Sequence, residues 1–299
     1  MRRDVTFPGF GGTALRGWLY LPETEAPVPG VAMAHGLSAV KEMALDRYAE
    51  AFCGGGLAVL VYDHRNLGAS DGEPRQEINP WAQTRDYRYA LSWLAERPEV
   101  DAARLGVWGS SFSGGQAIVL GACDERVKAA VANVPFAGLP GTDYGETKAR
   151  FETLCAALLD ESGRGPADTG DALSVTVVRE QGSDAPCILD QPESAEWFLR
   201  TGGEPGSTWS NQITLRNAFG GDPPFDPGVC FAYVSPTPLL LVVAEEDRVA
   251  DVSVARQGFE RARQPKRIVE IPGHHFVPYD GEALIAASGA ARDFFLEHL

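Results

Sequence analysis

No run of about 18 consecutive apolar residues occurs in the 299-residue chain, so no membrane-spanning helix and no membrane partner are expected. Positive charge is scarce: 26 Lys and Arg stand against 41 Asp and Glu, a net charge of −15. That balance disfavours nucleic acid, whose phosphates would be repelled. The five cysteines, Cys53, Cys123, Cys155, Cys187 and Cys230, are odd in number, widely spaced and without a C-x-x-C pair. They argue against a disulfide framework and a structural zinc site, and a reducing cytoplasm is the expected compartment. Met1-Arg2-Arg3-Asp4 leads into no apolar stretch of the kind a secretory signal needs. No internal repeat, low-complexity tract or G-x-x-x-x-G-K phosphate loop occurs. Histidine is equally scarce, with His35, His64, His274, His275 and His298 alone, which bounds any imidazole chemistry.

What is present is the pattern of a globular α/β protein, 44% hydrophobic with mixed charge. Two short strands are expected at 5–7 and 14–21, around the turn Pro8-Gly9-Phe10-Gly11-Gly12. Strands at 30–34, 57–62, 105–108 and 127–134 alternate with helices at 43–52, 81–96 and 116–122. The 57–62 run is apolar throughout, as a parallel strand covered on both faces should be. The alternation then breaks. Residues 137–235 are rich in Gly and Pro and poor in strand runs, with one clear helix at 147–160 and a second expected near 209–219. An unstructured loop of that length would be unusual, so an inserted cap is expected at 137–235. The core is then 1–136 and 236–299, with a strand at 238–244, a helix at 252–263, a strand at 267–271 and a closing helix at 284–299. The expected fold is a mostly parallel central sheet with helices on both faces, binding its ligand at the carboxyl ends of the strands.

Those strand ends carry chemistry. The strand 105–108 runs into Gly109-Ser110-Ser111-Phe112-Ser113-Gly114-Gly115, a sharp strand-to-helix turn with Ser111 at its apex. It departs from G-x-S-x-G in having Ser113 in place of the second Gly, and by itself it also reads as an ordinary Gly- and Ser-rich turn. The strand 238–244 ends in Glu245-Glu246-Asp247, and the last strand ends in Pro272-Gly273-His274-His275-Phe276. The order is serine, acid, histidine. A serine hydroxyl is a weak nucleophile until an imidazole takes its proton, and the imidazole needs a carboxylate to hold its tautomer. Asp247 is the preferred acid over Glu246 and Asp251, and His275 competes with its neighbour His274 for the base. An oxyanion hole needs backbone N–H donors, here assigned to Phe112 and to Leu37 in the loop after the strand 30–34.

Together these segments resemble the α/β-hydrolase superfamily over nearly the whole chain outside 137–235. His35-Gly36-Leu37 is similar to the HG signature of its oxyanion loop, and Asp63-His64-Arg65-Asn66-Leu67-Gly68-Ala69-Ser70-Asp71-Gly72 to its D-x-R-x-x-G-x-S-x-G loop. Gly273-His274-His275-Phe276 resembles its G-x-H-F ending, which favours His275. The chain is more similar to dienelactone-hydrolase-like and acyl-peptidase-like members, and to a branch containing fungal polyketide transferases. Trp209-Ser210-Asn211-Gln212-Ile213-Thr214-Leu215-Arg216 and the turn at 109–115 carry that branch resemblance. It implies a serine hydrolase of acyl esters or thioesters, needing no metal or organic cofactor, with a small acyl substrate that is free or carrier-bound. An acyltransferase or cyclase of polyketide-type metabolism with the same triad is the alternative, and a non-catalytic binding protein on this fold is a third. Epoxide and haloalkane hydrolases are disfavoured, because Ser111 stands where they are expected to have Asp. His35, Trp209 and Arg216 are candidate pocket residues. The aromatics Phe151, Trp197, Trp209, Phe219 and Phe225 either line an acyl pocket or form the cap's own small core. Oligomeric state is not legible.

Overall fold

The computed structural model describes residues 1–160, 174–180, 182–214 and 223–299. An N-terminal hairpin of β1 (Arg2–Pro8) and β2 (Ala14–Tyr20) leads into β3 (Val28–Ala34), α1 (Leu45–Gly54), β4 (Ala58–Tyr62) and α2 (Pro80–Ala95). Next come β5 (Val100–Ser110), α3 (Phe112–Cys123) and β6 (Val127–Asn133). The long segment that follows holds α4 (Lys148–Leu159), β7 (Ser174–Val178), β8 (Cys187–Leu189), α5 (Pro192–Gly202) and β9 (Ile213–Thr214). The chain then returns through β10 (Leu239–Ala244), α6 (Val252–Arg261), β11 (Lys266–Ile271) and α7 (Gly281–His298).

Eight strands form one sheet in the order β1-β2-β4-β3-β5-β6-β10-β11. Every pairing from β4 to β11 is parallel; only the hairpin strand β2 runs against its neighbours β1 and β4. Side chains alternate across a strand, and the central strands are apolar on both faces. Val31, Met33, Val59, Val61, Leu240 and Val242 therefore face one layer, where Tyr48 and Phe52 of α1 and Phe294 and Phe295 of α7 cover them. Ala32, Leu60, Leu239, Leu241 and Val243 face the other, under Tyr87 and Leu91 of α2, Ile118 and Leu120 of α3 and Val254 of α6. Burying one such side chain is worth roughly 1.5–3 kcal/mol, so this double-sided core fixes strand register and with it the placement of every strand end.

The expected helices at 43–52, 81–96, 147–160 and 284–299 correspond to α1, α2, α4 and α7, each shifted at its ends. Asn79 sets the start of α2 by accepting the Ala82 N–H at 3.0 Å, with Pro80 in the first turn. Three expectations are corrected. The segment after β6 is not poor in strands: β8, β7 and β9 form a second, three-stranded sheet. It also holds α5, a helix outside the sequence expectation that Pro192, Glu193 and the helically spaced Ser194, Trp197, Phe198 and Thr201 do signal. The helix expected near 209–219 is extended chain and β9 as far as Thr214, and the rest lies outside the described residues. Finally, Cys123 and Cys155 form a disulfide. Their spacing of 32 residues is silent about pairing, but the end of α3 packs against α4 and brings the two sulfurs together. One support for a cytoplasmic setting thereby falls away. No helix among the described residues is long and apolar enough to cross a membrane.

Candidate active site

Ser111 follows the last residue of β5 and precedes the first of α3, at φ 53° and ψ −113°, a region that side chains rarely adopt. The surroundings hold it there. The Ser111 N–H donates to Asn133 O at 2.8 Å, and Ser111 O accepts from Phe136 N at 2.8 Å and Gly114 N at 2.9 Å. Space is tight enough to need glycine at two points. A Cβ on Gly109 would lie 1.8 Å from Ser113 O, and one on Gly36 would lie 2.9 Å from Ser111 Cβ.

His275 stands after β11 with its Nε2 3.1 Å from Ser111 Oγ, and its Nδ1 donates to Asp247 Oδ2 at 2.6 Å. Asp247, in the turn after β10, is held by the Val249 and Ala250 N–H groups, each 2.9 Å from Oδ1. Both His275 and Asp247 are buried. The competitors point elsewhere. His274 Nδ1 accepts the Phe276 N–H at 3.2 Å, Asp251 caps α6 through Ser253 N at 3.0 Å, and Glu246 is exposed. Neither the Leu37 nor the Phe112 amide has a hydrogen-bond partner among the described residues. Both residues line the cavity that opens onto Ser111, and Phe112 N–H lies at the start of α3, where the helix dipole favours negative charge.

That cavity has a volume of about 240 Å³. Met43, Ile188, Leu189, Trp197, Phe198 and Phe276 give it an apolar wall, and the hydroxyls of Ser110 and Tyr279, hydrogen-bonded to each other, belong to its lining. Burial, only partly offset by the Ser110 bond, pushes the Tyr279 phenol far up, so it stays neutral. Among the described residues no Lys, Arg, Asp or Glu lines the cavity. Much of the wall comes from β8 and α5, the elements missing from the sequence reading, so Ile188, Leu189 and Phe198 were missed with them. No group of three or more metal-ligating side chains occurs among the described residues.

Two of the expected pocket residues stand one layer back. His35 is fully buried beneath the loop, its Nε2 accepting the His64 N–H at 3.1 Å. Trp209 braces Phe198 at a ring distance of 5.6 Å and donates to Ser38 Oγ at 3.4 Å without lining the cavity. Arg216 and Phe219 lie outside the described residues. Of the other aromatics, Trp197 lines the cavity, Phe225 packs on Phe112 and Trp81, and Phe151 stacks on Tyr233 away from it. The loop at 63–72 is tied down by side-chain bonds: Asp63 accepts Lys41 Nζ at 2.7 Å and Ala69 N at 2.9 Å, and Arg65 forks onto Asp86.

Comparison with known proteins agrees with this architecture. A sequence model of the family described as "Esterase FrsA-like" matches residues 1–137. A polyketide transferase, af380, of Aspergillus fumigatus is 30% identical over 268 residues, covering 89% of this chain and 87% of that protein. The chain belongs to the α/β-hydrolase superfamily, in its polyketide-transferase-like branch. A thiohydrolase of Eupenicillium brefeldianum is 28% identical over 91% of this chain and 87% of its own length. The α/β hydrolase GrgF from Penicillium sp. sh18, a solved structure, matches with a TM-score of 0.77 and 27% identity, over 100% of this chain and 99% of that one. The protein is thus an enzyme of the α/β-hydrolase type, and the reading as a non-catalytic binding protein is set aside.

Proposed function

We propose that this α/β-hydrolase cleaves an acyl ester or thioester through an acyl-enzyme on Ser111. The observation that carries the reading is the relay at the strand ends, with His275 Nε2 3.1 Å from Ser111 Oγ and Nδ1 2.6 Å from Asp247 Oδ2. Ser111 Oγ attacks the carbonyl carbon as its proton passes to His275 Nε2. The imidazolium that forms is stabilised and held in orientation by Asp247. The carbonyl oxygen becomes an oxyanion, received by the Leu37 and Phe112 N–H groups. The carbon–oxygen or carbon–sulfur bond breaks, the leaving group departs with the proton from His275, and the acyl group stays on Ser111. Water then attacks the acyl-enzyme, His275 takes its proton and returns it to Ser111 Oγ, and the free acid leaves. Residues 137–235 act as the cap that closes over the acyl chain.

The apolar wall of Met43, Ile188, Leu189, Trp197 and Phe198 suits a largely apolar acyl group. A leaving group carried as a thioester on a small thiol or a carrier fits the same chemistry. A second reading is supported by the polyketide transferase at 30% identity. In it an alcohol, amine or carbon nucleophile in place of water accepts the acyl group, and the cap keeps water out.

Product analysis on acyl N-acetylcysteamine thioesters, with and without an added alcohol or amine, tests both. Free acid under all conditions fits the hydrolase, and an acyl product that appears only with acceptor fits the transferase. Ser111→Ala should lose at least 1,000-fold in kcat in either case. Turnover that survives in Ser111→Ala overturns the reading.

A further inference from the structure

Ser113 occupies the position where G-x-S-x-G has its second glycine. A small residue suffices sterically, yet Ser113 is fully buried and its hydroxyl is fully engaged. It donates to His35 O, lies 2.8 Å from His64 Nε2, and is 3.3 Å from Gln116 Oε1. Ser113 has one proton, and His35 O, a nearer acceptor than Gln116 Oε1, takes it; His64 is then assigned its proton on Nε2, donating to Ser113 Oγ. His35 Nε2 accepts the His64 N–H, so its proton is on Nδ1 and goes to Gly36 O at 2.9 Å. The two imidazole rings meet edge to face at 4.7 Å. His64 Nδ1 is buried without a partner among the described residues. Burial holds His64 well below, and His35 below, its ordinary range, so both rings stay neutral.

His35 and Gly36 immediately precede Leu37, and Ser113 immediately follows Phe112. The bond from Ser113 to His35 O therefore ties together the two segments that carry the oxyanion donors. We propose that Ser113 and His64 are positioning residues that set the spacing between the Leu37 and Phe112 amides. Ser113 holds His35 O, and His64 holds Ser113 in the rotamer that reaches it. This rests on the function proposed above, since it assumes that these amides receive the oxyanion of an attack by Ser111. Oxyanion donors act by preorganisation, so loosening their spacing should weaken binding of the tetrahedral state while leaving substrate binding alone.

The test compares wild type, Ser113→Ala, Ser113→Gly, His64→Leu and His64→Gln. Three readouts apply: the second-order rate of phosphonylation by an alkyl fluorophosphonate, kcat and KM on a medium-chain p-nitrophenyl ester, and the Kd of an alkylboronic acid. The expected result for both Ser113 variants and for His64→Leu is a 10- to 100-fold slower phosphonylation and a matching fall in kcat. KM should stay within twofold and the boronic acid should bind correspondingly more weakly. His64→Gln keeps an N–H donor near Ser113 Oγ and should recover most of the wild-type rate. A variant that fails to fold is replaced by the other member of its pair, since Ser113→Gly restores the common motif and His64→Gln the donor. Wild-type rates and boronic acid affinity in Ser113→Ala and Ser113→Gly overturn the proposal. So does a loss confined to KM or to melting temperature, which is what a merely structural role would produce. Wild type that is not phosphonylated at Ser111 defeats the function proposed above instead, so the two failures are distinguishable.

Discussion

Ser111 carries a conformational cost that its neighbours sustain. At φ 53° and ψ −113° a non-glycine residue is strained by about 1–3 kcal/mol, and backbone hydrogen bonds to Asn133, Phe136, Gly114 and Gly115 hold it there. Glycine would relieve the strain; alanine would not. Ser111→Gly and Ser111→Ala should both be inactive, but the glycine variant should melt higher. The expected difference is about 1 kcal/mol after glycine's greater unfolded-state entropy, or roughly 1–2 °C for a chain of this size. Equal melting points, or a higher one for alanine, would show that the turn is relaxed. The same scale separates what was legible in the sequence from what was not. Ser111, Asp247 and His275 follow strand ends in order, which the sequence pattern exposes. The choice between His274 and His275 stays open from composition and spacing, and a resemblance tilts it. The hydrogen bond from Phe276 N to His274 is the physical reason that His274 turns away.

Elements determine what surrounds those side chains. The sheet was readable because buried parallel strands are short, apolar and separated by helical periodicity. The wall of the cavity was not, because β7, β8 and β9 are 5, 3 and 2 residues long and lack the runs that mark a strand. Ile188 and Leu189 enter the cavity only because β8 pairs with β7, a contact no local pattern encodes. In the sequence Ser113 shows only as a departure from G-x-S-x-G, and its bonds to His35 and His64 come from the approach of the β3 and β4 ends to α3. Those ends also make a prediction about pH. His35 and His64 are pushed below the ordinary value of 6.5, first by desolvation, opposed for His35 by Asp63 and reinforced for His64 by His35 and Arg65. The unfolded chain binds the protons that the folded chain refuses, so their contribution is intact above pH 6.5 and declines as pH falls below it. Stability should therefore fall from pH 6.5 to 5.5, with His64, the more strongly depressed of the two, contributing more than His35. Denaturant melts across that range should have a shallower pH slope in His64→Gln than in wild type; an unchanged slope would mean that His64 titrates in the fold.

At the scale of the molecule, the disulfide between Cys123 and Cys155 joins the end of α3, the helix that begins beside Ser111, to α4 in the segment between β6 and β10. Closing a loop with a sequence separation of 32 residues should stabilise the fold by about 3–4 kcal/mol through the entropy of the unfolded chain. Dithiothreitol or Cys155→Ser should lower the melting temperature by several degrees, and unchanged melting would show that the pair does not form in solution. The proposed chemistry depends on one atom, Ser111 Oγ, acting as nucleophile. Peptide mapping by mass spectrometry after reaction with a fluorophosphonate tests that directly. One adduct is expected, on Ser111, absent in Ser111→Ala and formed far more slowly in His275→Ala. An adduct on a different residue, or equal labelling of wild type and Ser111→Ala, would contradict it.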